Sequence, residues 1–299
     1  MTSSRMVARL PLVSEETLSE PERAFILKAA LTKAIRLDGR KLDEPRICAI
    51  EVKTINKSRS LAQCSLGNGT KASCSLSAEL TLPYPDRPNE GILNIQTDYM
   101  HSAGSKSNSS IDMQPFERSI QKAIDVESLC ILPGLRVWTI RCQIIVTNDC
   151  GSVMDACSLA TCAALLHFRR PEVTVVGEEV TVHAIDERIP VPLSIHYTPV
   201  SVTFALLDTS DVQIKNDNDD SSERQQFLAL ADPTDREELA AEGGMFQIML
   251  NAHREICGLV ESGPLLPRSA FAKLTEIANQ VRQERGEILE DAVLGSPFL

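Results

Sequence analysis

Trp138 to Phe168, WTIRCQIIVTNDCGSVMDACSLATCAALLHF, changes its hydrophobic period midway, and that change decides the fold. From Trp138 to Val146 apolar and polar residues alternate and then run apolar, rich in Ile and Val, which predicts a half-buried or buried strand. Thr147 to Met154 supplies Asn, Asp and Gly, the residues that bend a chain. From Asp155 onward Ala156, Leu159, Ala160, Ala163, Ala164 and Phe168 can share one helical face. Asp155 stands where an N-cap would stand, with an oxygen for the first orphan N–H groups. Strand, glycine turn and helix N-terminus together make a place where an anion could bind. Yet no Lys or Arg lies between Arg141 and Arg169, and Asp149 and Asp155 would repel a phosphate. The stretch reads as the framework of an enzyme site without the enzyme.

Composition sets the bounds. At 299 residues, 43% hydrophobic and 24% charged, the chain is long enough for two modest domains or one large one. No apolar run approaches the length of a membrane span or resembles a signal peptide, so no membrane is expected. The nine cysteines are odd in number, hold no C-x-x-C pair and sit mostly in apolar periodic segments. Buried, reduced thiols fit that pattern better than a disulfide scaffold or a zinc site. The five histidines are dispersed, with no two at ligand spacing on one element, so neither metal nor cofactor is expected. His167, ending an apolar helix, reads as a packed or capping residue. A net charge of −11 argues against a surface that embraces nucleic acid everywhere. It leaves room for a local basic patch, or for an acidic subunit among more basic neighbours.

Taken in order, Met1 to Glu20 has mixed polarity and no clear period, as a tail does. Pro21 to Ile35 predicts a helix with Phe25, Ile26, Ala29 and Ala30 as its apolar face. RLDGR, Arg36 to Arg40, is a turn. Strands follow at Ile47 to Ile55, Ser60 to Leu66 and Lys71 to Leu82, the last two joined through Gly67-Asn68-Gly69. Pro83 to Gly91, PYPDRPNEG, is a proline-stiffened loop carrying Arg87, and Ile92 to Asp98 is another strand. His101 to Ser110 is Ser- and Gly-rich and reads as a mobile segment. Phe116 to Ala123 predicts a short helix that sets Arg118 and Lys122 one turn apart on one face.

Beyond the central helix, Val173 to His183 reads as strand broken at Gly177, and Arg188 to His196 holds too many prolines for a central strand. Val200 to Leu207, Phe227 to Ala231 and Met245 to Leu250 are strands, with a short helix or turn at Glu237 to Glu242. The acidic stretch 209–226 is a surface insertion. Phe271 to Leu289 closes the chain as an amphipathic helix with Phe271, Leu274, Ala278, Val281 and Ile288 on one stripe. Both halves mix strands and helices, which points to a duplicated α+β unit.

Several of these segments together resemble the ribonuclease PH family. RLDGR and the Gly-x-Gly-Thr turn at Gly67 to Thr70 fit that family. PYPDRPNEG, DVESLCILPG (125–134), HFRRPEVTV (167–175), ERIPVPLSIH (187–196), ADPTDREE (231–238) and HREIC (253–257) resemble one branch of it. That branch is the noncatalytic RNase PH-type ring subunits of the eukaryotic RNA exosome, of the PM/Scl autoantigen class. The resemblance covers roughly Phe25 to Val281 and implies an α+β, ribonuclease PH-like fold: duplicated βαβα units with sheets packed on central helices. It implies one such domain over 21–299, after a tail over 1–20, with halves at about 36–170 and 171–299.

The same resemblance frames the chemistry. Active members carry a Gly-Gly-Thr-Arg or Gly-Ser-Arg turn whose Arg holds phosphate; here the turn is Cys150-Gly151-Ser152-Val153-Met154. Active members also carry acids that bind the catalytic metal; here that region is Val191 to Tyr197, with no carboxylate between Glu187 and Asp208. Phosphorolysis needs positive charge on the phosphate and an acid or metal at the leaving group. The implied function is therefore a noncatalytic structural and RNA-path subunit supporting 3′-to-5′ RNA processing by partners. Those partners would be sibling RNase PH-type subunits in a hetero-hexameric ring, S1/KH-type cap subunits and RNA. The implied compartments are nucleus, nucleolus and cytoplasm. The resemblance makes Arg118 and Lys122 candidates for steering RNA, against the plainer reading of a solvated helix face. Arg87 is a third candidate, against a loop salt bridge to Asp86 or Glu90. An active phosphorolytic 3′-exoribonuclease of the same fold is the alternative function; a metabolic enzyme of unrelated substrate is a more distant one.

Overall fold

The structure, a computed structural model, describes residues 18–55, 59–100, 113–209, 227–263 and 266–296. The expected tail (except its last residues), the 101–110 segment and nearly all of the 209–226 insertion lie outside the described residues.

Helix α1 spans Glu20–Lys33, with Pro21 in its first turn. It buries Ile26 and Ala30 beside Leu18, whereas Phe25, expected on the apolar face, is 63% exposed. Strands β1 (Cys48–Ile55), β2 (Arg59–Leu66) and β3 (Thr70–Thr81) form an antiparallel meander. After β4 (Ile92–Tyr99), helix α2 (Gln114–Ala123) and a 3-10 turn at Glu127–Leu129 lead to β5 (Cys130–Leu132) and β6 (Arg136–Asn148). The crossover through α2 makes β4 parallel to β6, and the sheet runs β1-β2-β3-β6-β4, with β5 also on β6. Helix α3, Val153–His167, follows β6 directly.

The second half begins with β7 (Arg169–Arg170), β8 (Val173–Val176) and β9 (Glu179–Val182). Gly177, at φ +62°, makes the expected break at Val173 to His183 the turn of a β8–β9 hairpin. Of Arg188 to His196 only β10 (Val191–Pro192) is strand, paired with β7. Strands β11 (Val200–Asp208) and β12 (Phe227–Ala231), helix α4 (Asp235–Ala240), and strands β13 (Met245–Leu250) and β14 (Ile256–Ser262) build a second sheet ordered β12-β11-β13-β14. The pattern had not shown β14. Helix α5, Arg268–Leu294, ends the described fold. Each half thus runs strand, helix, strand, helix, through α2 and α3 in the first and α4 and α5 in the second, the α+β arrangement of a ribonuclease PH fold.

The core sits where the two halves meet. Helix α3 packs on β1, β2 and β3 from one sheet, on β11 from the other, and on α5. The apolar stripe expected of it is therefore too narrow: every residue of α3 except Leu166 is buried. Its Ala, Ser, Thr and Cys side chains are small enough for a helix to lie between two sheets. Strand β11 is likewise covered on both faces, Val202, Phe204 and Leu206 facing α5 and Ala205 and Leu207 facing α1.

Candidate functional site

The turn between β6 and α3 is held in a shape that few residues adopt. Gly151 has φ +88°, and a Cβ there would lie 2.5 Å from the Pro233 carbonyl oxygen, so only glycine fits. Ser152, at φ +54°, is the residue before the helix, and its Oγ donates to the Pro233 carbonyl at 2.9 Å. The turn is thereby docked on Asp232-Pro233-Thr234 of the second half. Arg46 donates to the carbonyls of Cys150 at 3.1 Å and Gly151 at 2.9 Å, and the Thr70 hydroxyl also donates to Gly151.

The N–H groups of the two turn residues just before α3 are answered from within the chain. Gly151 N–H donates to Asp149 Oδ1 at 3.1 Å, and Ser152 N–H donates to Glu238 Oε1 at 2.7 Å. Glu238 therefore puts a carboxyl group on the Ser152 N–H, at the helix N-terminus where an anion would otherwise be drawn. Burial raises its carboxyl to about 7, and Asp149 adds to the rise while the Ser152 N–H and Arg46 oppose it.

Asp155 is not the N-cap. It is the third residue of α3, fully buried and turned inward, where Oδ2 takes Arg285 at 2.7 Å and Oδ1 takes the Thr203 hydroxyl at 2.7 Å. Burial pushes its carboxyl up from the ordinary value, and Arg285 pulls it back. Arg285 also reaches Asp232 at 3.2 Å, and Asp232 accepts from the Arg46 backbone N–H at 2.7 Å and from its guanidinium at 2.7 Å. These two arginines hold Asp232 well below the usual carboxylate range although burial opposes them.

The lock extends to the RLDGR turn. Arg36 grips Glu237 with two nitrogens, Nε at 2.8 Å, and donates to the Asp232 carbonyl at 2.9 Å, with both side chains out of water. Arg40 donates to the same carbonyl at 3.2 Å. Glu237 meanwhile accepts from Thr234 N–H at 2.8 Å, closing the first turn of α4. RLDGR and ADPTDREE are thus two sides of one buried ionic lock. The two motifs meet across 201 residues, and their opposite charges are the one signal of it in the sequence.

The Val191 to Tyr197 segment lies elsewhere. Its backbone ties down the C-terminal end of α2, through Asp125 N–H to Ser194 at 3.0 Å, His196 N–H to Ala123 at 2.8 Å, and an Ile124–Ile195 bridge. Among the described residues, no three His, Cys, Asp or Glu side chains are grouped so as to hold a metal ion. His167, packed as expected, shares a hydrogen bond with Ser60 at 3.0 Å.

Helix α2 buries Phe116, Ser119, Ile120 and Ala123 and turns Arg118 and Lys122 outward together. Arg118 reaches only Gln114, one turn back, at 3.3 Å, and Lys122 has no hydrogen bond or ion pair among the described residues. Arg87 makes the loop salt bridge, to Glu90 at 3.3 Å, but its side chain remains 71% exposed. A cavity of about 280 Å³ between the proline loop, β4 and α2 is lined by Tyr84, Arg87, Glu90, Asn94 and Gln121. Gln121 sits three residues after Arg118, so Arg87 and the outward face of α2 border one depression. No described helix is long and apolar enough to cross a membrane.

Comparison with known proteins adds to this geometry. A family model for the 3′ exoribonuclease family, domain 1, matches residues 44–171. The chain is similar to "Exosome complex component rrp45" of Schizosaccharomyces pombe, 37% identical over 84% of this chain and 81% of that one. It is similar to the Saccharomyces cerevisiae protein of that name, 35% identical over 83% of this chain and 81% of the other. Among solved structures it resembles a chain of the Archaeoglobus fulgidus exosome with RNA bound to the active site, with TM-score 0.66 and 26% identity. That match covers 89% of this chain and 97% of the other.

Proposed function

Because the chain belongs to the RNase PH family of 3′ exoribonucleases and is similar throughout to exosome components, we propose that it is a noncatalytic ring subunit of the exosome. In this reading it forms part of the wall along which RNA reaches an active site on a sibling subunit. The observation that carries it is the occupied turn. The backbone N–H groups of Gly151 and Ser152 are taken by Asp149 and Glu238, while Arg46 and Arg285 are committed to Asp232 and Asp155. No arginine stands in the turn, and the Val191 to Tyr197 segment carries no carboxylate. Charge stabilisation of a transferring phosphoryl group therefore has no source at this position.

The outward face of α2 is the opposite case. Arg118 and Lys122 lie side by side in solvent without an acidic partner among the described residues, with Arg87 across a shallow depression, and this chemistry suits a phosphate backbone read without regard to sequence. Sibling RNase PH-type subunits complete the ring in this reading, S1/KH-type subunits cap it, and nucleus, nucleolus and cytoplasm are its compartments.

The test is a ring reconstituted with either the native chain or Arg118→Glu/Lys122→Glu, with RNA affinity measured across a salt series. Loss of the two contacts should weaken binding at every sequence and flatten the salt slope by about two units. Unchanged affinity and slope in an intact ring would return both residues to an ordinary solvated face. In parallel, the purified chain should release no nucleoside diphosphate from RNA in phosphate and magnesium; release would restore the phosphorolytic alternative.

A further inference from the structure

We propose that Cys48 and Cys64 are a redox couple, which a hydroperoxide entering the cavity between residues 41–48 and α5 converts to a disulfide. The two sulfur atoms lie 3.7 Å apart. Cys48 opens β1 opposite Leu66, and Cys64 on β2 stands opposite Ile50, so the thiols meet diagonally on the core side of the sheet. Their access differs. Cys64 is closed off at 0% exposure, whereas Cys48 keeps 7% and lines a cavity of about 610 Å³ together with Arg46, Ile47, Glu284, Arg285 and Ile288. A small oxidant in that cavity meets Cys48 first and Cys64 only through it.

The chemistry divides between the two sulfurs in the order their positions require. The Cys48 thiolate attacks one oxygen of the peroxide; the O–O bond breaks, leaving a sulfenic acid on Cys48 and releasing hydroxide or alkoxide. The Cys64 thiol then attacks the sulfenic sulfur, the S–O bond breaks, and water departs with the Cys64 proton. Two electrons pass from the thiols to the peroxide. The surroundings agree with this order. The Cys64 hydrogen bond draws the Cys48 thiol below its ordinary value; Arg285 assists, while burial, Asp232 and Asp155 oppose. Cys64 is held well above its ordinary value by the same hydrogen bond and by burial, so it stays a thiol until attack.

A second pair gives the control. Cys74 on β3 and Cys142 on β6 have sulfurs 3.5 Å apart in the same diagonal relation. They are 0% and 1% exposed. Closing either pair draws the sulfurs together to about 2 Å, which the surrounding strands must accommodate. Cys48 is the first residue of an edge strand, paired on one side only, whereas β3 and β6 are interior strands paired on both sides. Proximity alone predicts that both pairs oxidise; access and edge position predict only the first.

The experiment treats the folded full-length chain with hydrogen peroxide, then unfolds it, alkylates the remaining thiols and maps the peptides. The Cys48–Cys64 crosslink should form at least about tenfold faster than any Cys74–Cys142 crosslink. In Cys64→Ser the reaction should stop at a Cys48 sulfenic acid that dimedone captures. Should that variant fail to fold, the native chain alone still decides. The proposal is overturned if Cys48 stays reduced while the partly exposed Cys150 and Cys257 oxidise, or if Cys48 oxidises without joining Cys64. It is equally overturned if both pairs close at the same rate, the mark of general unfolding.

Discussion

The turn at the start of α3 and the outward face of α2 both carry arginine, and they use it in opposite ways. At the turn, Arg285 and Asp232 are 2% and 0% exposed, and each cation is matched by carboxylates or carbonyls of the same chain. On α2, among the described residues, Lys122 stands in water with no acid to meet it and Arg118 touches only a neutral glutamine. A basic residue therefore reports on ligand binding only once its partners are counted. The more conspicuous cluster is structural, and the plainer pair is the one proposed above to meet a phosphate.

The contrast breaks first at Arg285, where the largest effect is expected. Arg285→Met leaves Asp155 and Asp232 buried with less positive charge than they need, at a cost of about 3–5 kcal/mol in urea unfolding. Adding Asp155→Asn should recover part of the loss by neutralising one stranded carboxylate. A cost no greater than that of a surface substitution would remove the ionic lock from the account.

Glu238 sharpens the contrast through pH. Its carboxyl rises from 4.5 to about 7, so between those values the folded chain holds a proton that the unfolded chain has released. Its contribution to stability should therefore decline as pH rises across that window and level off above it. Asp232 acts with the other sign: its depressed value favours the folded chain above the ordinary carboxylate range, and this support is lost as pH falls. Glu238→Gln should flatten the decline and raise stability by about 1–2 kcal/mol at about pH 8, read by thermal melts across a pH series. Melts of native and variant chains that run parallel would mean that Glu238 titrates as an ordinary surface acid.

The smallest effect belongs to α2. Arg118→Glu/Lys122→Glu should change the stability of the chain by no more than about 0.5 kcal/mol, because both side chains are exposed. A large loss in the same unfolding assay would show that the face serves the fold and would blur the distinction from the turn.

Much of the fold was legible because it rests on local pattern. The β6–α3 junction, the meander and α2 follow from period and turn residues, which act within a few positions. The lock was not legible, because Arg36 and Glu237 stand 201 residues apart and each alone is an ordinary charge. Arg285 follows Val281 at helical spacing, on the stripe that buries Leu274, Ala278 and Leu289. A cation there looks like an interruption until Asp155 is known to face it. Asp155 was misplaced for a similar reason: the left-handed Ser152 starts the helix earlier and turns an apparent cap into an interior acid. β14, an edge strand of exposed and half-buried residues with Gly258 within it, gave too weak an alternation to be seen. The α2 face could be proposed from sequence because two basic residues at helical spacing need no distant partner, and its openness to RNA rests on the experiment above.

The ionic lock also sets an order of events during synthesis. Asp155 lies 130 residues before the arginine that neutralises it, and Arg36 waits 201 residues for Glu237. On a ribosome, the first sheet and α3 emerge while Asp155 has no cation to meet, and ordering that core early would strand a charge in it. The nascent first half should therefore stay short of its native packing until residue 285 has been made, which protease digestion of ribosome-bound chains of increasing length would read. This delay follows from the placement of a few charges rather than from the length of the chain.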